Sequence, residues 1–203
     1  MFALVQDGNI VQMPKGNKGI TIDGVQHPSS IYKLWSDEER LAIGIYPVRV
    51  DTTNKKDEDW YINTNITYAV SGNEVVGTYG TATARAIEDA NAKDKEGNNL
   101  TDENGNQIII KGLKTIKKEM IDQQCAGILQ PSDWRVIRAK ETGGTMNSGW
   151  KTWRASVRTK CNSMQDQIDA VSNVDELAAL FTYTEQEDGS ITRPLGEFPT
   201  KDD

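Results

Sequence analysis

The chain has 203 residues and a formal charge of −7, with 23 Lys plus Arg against 30 Asp plus Glu, which bounds it to one domain or two small ones. A single His and two Cys leave histidine-based nucleophilic triads and Cys-rich zinc sites short of parts. Leu, Ile, Val and Phe together number 42, only just above the composition at which chains cannot bury enough apolar surface to fold, so the expected core is modest and leans on five Trp and six Tyr.

Residues 2–5 and 10–13 flank Gln6-Asp7-Gly8-Asn9, whose Asp-Gly pair supplies the positive-φ positions of a tight hairpin. After a Gly-rich link through His27-Pro28, Ser36-Asp37-Glu38-Glu39 reads as a capping box. It opens a short helix to Gly44, with Leu41 turned inward and Trp35 as a staple before the cap. Residues 45–50 read as a strand. Trp60, Ile62, Thr64, Ile66, Tyr68 and Val70 alternate with more polar residues, which predicts one long strand with an amide-rich opposite face. Ser71-Gly72-Asn73 turns it back into residues 75–79. Residues 81–92 are Ala-rich and predicted helical. Lys95-Glu96-Gly97-Asn98 and Glu103-Asn104-Gly105-Asn106 are similar turns around a short strand, followed by Ile108-Ile109-Ile110.

From Gly112 the period becomes helical. Ile116, Met120, Ile121, Cys125, Ile128 and Leu129 fall on one face, with Lys114, Lys117 and Lys118 on the rest, and Pro131 ends the helix. Ser132 is placed to cap a second helix from Trp134 to Lys140, stopped by Gly143-Gly144. Trp150, Trp153, Val157, Cys161, Met164, Ile168 and Val171 then recur at helical spacing, with Lys151, Arg154 and Arg158 as a parallel basic stripe. Asn173 and Glu176 cap a last helix to Phe181, and Asp188-Gly189 marks a turn in the acidic tail. Both thiols sit at apolar helical positions and read as core cysteines rather than a redox pair.

Little of this points to catalysis. His27 lies beside a Pro in a loop, with no activated nucleophile in view. The segment from Gly72 to Tyr79 has phosphate-loop glycine spacing without the Lys that neutralises phosphate, and reads as a hairpin turn. Asp102-Glu103-Asn104-Gly105-Asn106 places its Gly at the wrong position for a calcium loop and lacks the closing Glu, so turn chemistry accounts for it. Acid clusters at Asp37-Glu38-Glu39 and Asp57-Glu58-Asp59 read as solvated. No catalytic residue, metal ligand or cofactor is expected. No run reaches the roughly 18 apolar residues of a membrane span and the N-terminus has no signal-peptide pattern, so the expectation is a chain made in a cytoplasm with no membrane insertion.

The charge distribution is more informative. Residues 1–110 hold 10 basic and 16 acidic groups, residues 111–160 hold 11 and 4, and residues 161–203 hold 2 and 10. A basic block between two acidic ones pairs within the chain or between neighbouring subunits, or else presents a surface to an acidic partner. Nucleic acid is the less favoured partner, because a net charge of −7 repels phosphate at long range.

Leu129-Gln130-Pro131-Ser132-Asp133-Trp134, then Arg138, a Gly-rich link, Trp150-Lys151-Thr152-Trp153-Arg154 and Arg158 resemble the bacteriophage tail assembly chaperone family and related tail-fibre-associated segments. The match covers about residues 124–162, with Trp153 where that family usually carries Tyr. Physically the motif reads as a helical hairpin in which Trp134 and Trp150 or Trp153 pack between helices while Arg138 and Arg154 stack on indoles or grip carboxylates.

The resulting expectation is an α+β chain: a strand-rich domain over residues 1–110 with a small helix, a helical domain over 111–182, and an acidic tail over 183–203 with room for a short hairpin. The expected role is a non-enzymatic virion protein of a phage tail or fibre-attachment region, homo-oligomeric and bound to other tail or fibre proteins. Its location would be the virion, after assembly in the host cytoplasm. A tail or fibre assembly chaperone that leaves the particle, or a nucleic-acid binder through the basic helices of 111–160, are the other expectations. Trp134, Arg138, Trp150, Lys151, Trp153, Arg154 and Arg158 form the candidate partner-binding set. Loss of either Trp150 or Trp153 is expected to loosen the C-terminal half, and loss of Arg154 and Arg158 to spare folding.

Overall fold

In the computed structural model, which describes residues 1–201, Asp7 and Gly8 both take positive φ, 49° and 76°. That turn folds β1 (Phe2–Gln6) back onto β2 (Asn9–Gln12). A second hairpin, β3 (Ile20–Ile22) and β4 (Val25–His27), precedes two short helices, α1 (Ile31–Leu34) and α2 (Asp37–Ala42). The capping box at Ser36 and Glu39 forms in both directions. Next come β5 (Ile45–Asp51), β6 (Tyr61–Ile62), β7 (Ile66–Ser71) and β8 (Glu74–Tyr79). β9 (Thr83–Ala84), β10 (Ala90–Asn91) and β11 (Ile109–Ile110) are two-residue strands. The helical part holds α3 (Leu113–Leu129), a 3-10 turn at Gln130–Ser132, α4 (Asp133–Glu141), α5 (Ser148–Ala170) and α6 (Val174–Phe181). A hairpin of β12 (Thr184–Glu185) and β13 (Ile191–Thr192) follows. The expected α+β class, strands first and helices after, is what the chain adopts.

The chain divides into two compact units, Met1–Thr83 and one beginning at Ala84. In the first, five strands run in the order β2-β1-β5-β8-β7. All pairings are antiparallel except β5 with β8, which is parallel. Strand alternation sends Ala3 and Val5 to one face, where Val75, Tyr46, Val48, Tyr68 and Val70 join them. Leu4 and Ile45 go to the other face, over Ile20, Ile22, Ile31 and Tyr32. One sheet therefore carries two small cores. Gly77 is required for the first: a Cβ there would stand 2.6 Å from Tyr68 Cε1, so the Tyr68 ring lies over bare backbone.

Three expectations fail in this region. The Gly-rich link before Pro28 holds the β3–β4 hairpin, with Ile20 and Ile22 in the core. The long strand over residues 60–70 is broken into β6 and β7, because Asn63 and Thr64 spend their side chains on other loops. Asn63 brackets the Lys56 backbone at 2.9 and 2.8 Å, and Thr64 Oγ1 accepts from Gly80 N–H at 2.7 Å. Residues 81–92 are extended rather than helical. Their carbonyls serve the next element: Ala86 O and Ile87 O accept from Leu113 and Lys114 N–H, and the Asp89 carboxylate accepts from Gly112 N–H at 2.7 Å. Together they cap α3, satisfying donors that a helix start leaves open. A side chain at Gly112 would collide with the Ile87 and Glu88 backbone. Residues 84–110 consequently belong with the helices, and the boundary falls at 83/84 rather than at 110/111.

Between β10 and β11 the two similar turns form with the same bonds. Asp94 accepts from Glu96 and Asn98 N–H, and Asp102 from Asn104 and Asn106 N–H, each at 2.9 and 2.8 Å. Ala92, Leu100 and Ile108, eight residues apart, donate cyclically to one another's carbonyls at 2.8–2.9 Å, and Gln107 Nε2 reaches all three oxygens. Asp102 is a turn residue, its carboxylate filled by its own loop.

α3 and α5 pack through Leu113, Ile121, Cys125 and Leu129 against Val157, Cys161, Met164 and Ile168. The helical period is as expected, but its phase at the start of α3 is not. Ile116 is 46% exposed, while Lys114 is buried, its ammonium on Glu88 at 2.6 Å and on Asp169 O at 3.1 Å. α5 runs unbroken through Asn162 and Ser163. No helix among the described residues is long and apolar enough to cross a membrane. Of the acidic tail, Asp202 and Asp203 lie outside the described residues.

Candidate functional site

The corner between α3 and α4 begins with Pro131, which has no N–H for the α-helical ladder, and its 3-10 turn sends the Asp133 N–H to Gln130 O, leaving the Leu129 carbonyl without a helical donor. Ser132 does not cap α4 as expected. It is buried, and its hydroxyl donates to Leu129 O at 2.7 Å. Arg154 reaches in from α5: Nη1 donates to Leu129 O at 2.8 Å and to Ser132 Oγ, and Nη2 to Asp133 Oδ1 at 2.6 Å. With only 5% of its surface exposed, Arg154 ties three elements together. It is not part of an exposed basic stripe, and the expectation that its loss would spare folding is corrected: removing it takes the donor from the buried Ser132 Oγ and one of two donors from Leu129 O.

The tryptophans divide into two roles. Trp150 and Trp153 meet edge to face at 5.5 Å and 89°. Trp153 Nε1 donates to Pro199 O at 2.9 Å, Lys160 Nζ to Leu195 O at 2.6 Å, and the Lys201 ammonium lies 5.5 Å over Trp150. These contacts lay the tail along α5 in the opposite direction, so Trp150 and Trp153 pack within the chain. Trp134 is 49% exposed. Arg135, absent from the expected set, bridges the two groups, its guanidinium 4.5 Å over Trp134 and 4.2 Å over Trp150. Its sequence signal was only adjacency to Trp134, which helical periodicity does not read as contact.

What remains outward is the face of α4. No residue of this nine-residue helix is buried, although it carries Trp134, Val136 and Ile137, the last 57% exposed. Arg138 and Lys151 are exposed and make no ion pair among the described residues, and the Arg158 guanidinium has a single 3.5 Å bond to Arg154 O. Two grooves flank the helix and share Ala139, Thr145 and Met146. One, of about 290 Å³, adds Arg135, Arg138 and Asn147; the other, of about 520 Å³, adds Val136, Lys151 and Arg158. Elsewhere in the basic block the charges are answered internally: Lys111 by Glu119, Lys114 by Glu88 and Lys118 by Asp169, at 2.5–2.7 Å. The unanswered surplus is concentrated on α4 and the first turns of α5.

The titratable groups with shifted values are structural. Burial, reinforced by neighbouring Cys125, pushes the Cys161 thiol up to about 12; both thiols are buried, as expected of core cysteines. Asp89 is held below the usual carboxylate range by Gly112 N–H and then by Thr115. In the first unit a groove of about 690 Å³ is lined by Met1, Phe2, Met13, Pro14, Tyr32 and Tyr68 among others. Burial raises the Tyr32 phenol, whose hydroxyl has no hydrogen-bond partner. His27 packs edge-on against Trp35 at 5.8 Å. The Cys161 thiol donates to Asp122 Oδ1 at 3.5 Å, a bond that raises the thiol further instead of activating it.

No family model, no curated protein and no solved structure matches this chain.

Proposed function

We propose that this chain is a non-enzymatic protein-binding component, that the α4–α5 face is its docking surface, and that its setting is a bacteriophage tail or fibre-attachment region. The observation that carries the binding role is α4 itself: a helix with three large apolar residues and no buried one. Such a helix loses its apolar hydration only on meeting something else. The basic side chains around it favour an acidic partner and set its register, while Trp134 and Ile137 supply the apolar anchors. The phage setting rests on the resemblance over residues 124–162.

The test is quantitative mass spectrometry of gradient-purified particles, with the infected-cell lysate as reference. Presence at a fixed ratio to a tail protein supports a virion component; abundance in lysate with absence from particles moves the reading to an assembly chaperone. Particles assembled with an Ile137→Asp, Arg138→Glu chain that folds normally should lose it. Full retention of that variant would remove α4 as the docking surface. DNA binding that weakens steeply with salt would move the basic face to nucleic acid instead.

A further inference from the structure

We infer that copies of this chain associate head to tail, the acidic β12–β13 hairpin of one copy docking on the basic α4–α5 face of the next. This rests on the reading of that face as protein-binding and names its partner. Both surfaces belong to the second unit, and both are built yet unpacked.

The hairpin is well formed. Thr184 pairs with Thr192 and Glu185 with Ile191, and the Asp188 carboxylate accepts from Ser190 N–H at 2.9 Å and its hydroxyl at 2.6 Å. Yet every residue from 182 to 194 is exposed, Tyr183 and Ile191 included. An isolated two-stranded hairpin is marginal in water, and stability comes when a face is covered. Its strand and turn carry Glu185, Glu187 and Asp188 with no basic residue between them, and Glu185 and Glu187 make no ion pair among the described residues.

The two surfaces are complementary in kind: Glu185, Glu187 and Asp188 beside Ile191 on one, with Arg193 held at the base over Tyr183 and paired to Glu197, and Arg138, Lys151 and Arg158 beside Val136 and Ile137 on the other. Their placement keeps them apart within one chain. The tail runs antiparallel to α5, with Pro199 at Trp153 and Leu195 at Lys160. The base of the hairpin, Tyr183 and Arg193, then borders the groove at Met164. Along the helix, at about 1.5 Å per residue, Met164 is about 9 Å from Arg158 and about 20 Å from Lys151. A neighbour's hairpin therefore meets the Lys151 end of the basic face, from which the base of the chain's own is held away. Because the surfaces differ, the contact is heterologous and generates a ring or a filament rather than a closed two-fold dimer.

The experiment is light scattering after size exclusion on full-length protein, at about 50 mM and about 1 M salt, where the screening length falls from above 10 Å to about 3 Å. Wild type should assemble with concentration at low salt, with association weakened at least about tenfold at high salt. Glu185→Lys with Glu187→Lys, and separately Arg138→Glu with Lys151→Glu, should each be monomeric with unchanged melting; Asp188 is kept because it closes the turn. Mixing the two reversed proteins should restore assembly, since each altered surface again meets its opposite. A wild type that stays monomeric at about 200 μM in low salt but still joins particles overturns the self-docking and leaves the protein-binding reading standing. Either reversed variant assembling like wild type, or a mixture that stays monomeric, also overturns it. Loss of particle binding by neither variant, together with assembly through another face, overturns both.

Discussion

α4 and α5 have similar sequences in the respects that periodicity measures: each carries tryptophan, each carries spaced arginines, each is amphipathic. Their fates are opposite. α5 buries Arg154, Val157, Cys161, Met164 and Ile168, whereas α4 buries nothing. The difference lies in length and neighbours. Twenty-three residues of α5 lie against α3 and receive the returning tail, while nine residues of α4 hang from a corner that Arg154 holds in place. Of the arginines on this hairpin, one is an internal brace, one a stacking bridge and two are open to a partner, and spacing in the sequence does not separate those roles.

That contrast breaks most sharply at its buried side. Ile168→Ala on α5 should destabilise the second unit by about 3–4 kcal/mol, as fully buried aliphatic truncations do. Arg154→Ala should cost about 2–3 kcal/mol by leaving the buried Ser132 Oγ without a donor and Leu129 O with the Ser132 hydroxyl alone, and Arg154→Lys should recover only part, lacking the fork that serves three acceptors. Thermal and denaturant unfolding measure both. If Arg154→Ala melted like wild type, its role as a brace would be lost and the two helices would no longer differ in this way. On the exposed side, Trp134→Ala and Ile137→Ala should each change stability by less than about 0.5 kcal/mol while weakening partner capture.

Smaller effects sharpen the same comparison at the ends of α3 and α5. Asp89 is depressed in the folded state, so its contribution to stability is present above the unfolded carboxylate value of about 3.9 and is lost as pH falls through its folded value. Asp89→Asn should flatten the acid limb of a stability–pH curve, and an unchanged limb would show that the carboxylate does not anchor the α3 start. The buried thiols should resist iodoacetamide at about pH 8 until denaturant is added; modification of Cys161 under native conditions would mean that the α3–α5 seam opens.

Local chemistry was legible. Asp7-Gly8, the Ser36 capping box, the Asp94 and Asp102 turns, the Asn173 cap and the Asp188 turn all depend on groups within a few residues of one another, and each forms. The helical period of residues 148–170 was legible because a repeated 3–4 spacing can face one partner only as a helix. The helix expected over residues 81–92 was lost to a demand from outside the segment, the open N–H groups of α3. The strand expected over residues 60–70 was interrupted by side-chain bonds to loops 7 and 16 residues away. In the candidate site, Arg154 grips the Asp133 carboxylate as expected, whereas Trp134, expected between helices, is half exposed, Arg138 is open, and Arg135 takes the indole-stacking role, because these contacts are decided across the hairpin.

Composition, turn residues and hydrophobic period thus determined by themselves a strand-rich first half followed by a helical second half, a modest core and the concentration of positive charge in residues 111–160. Each depends on interactions short in sequence or on sums over it. The strand order β2-β1-β5-β8-β7, the boundary at residue 83, the cap that Asp89 places on α3 and the burial of Arg154 were decided only in the tertiary structure. These depend on groups far apart in the chain meeting once it folds: the buried Leu129 O and Ser132 Oγ take their guanidinium donor from 25 and 22 residues away.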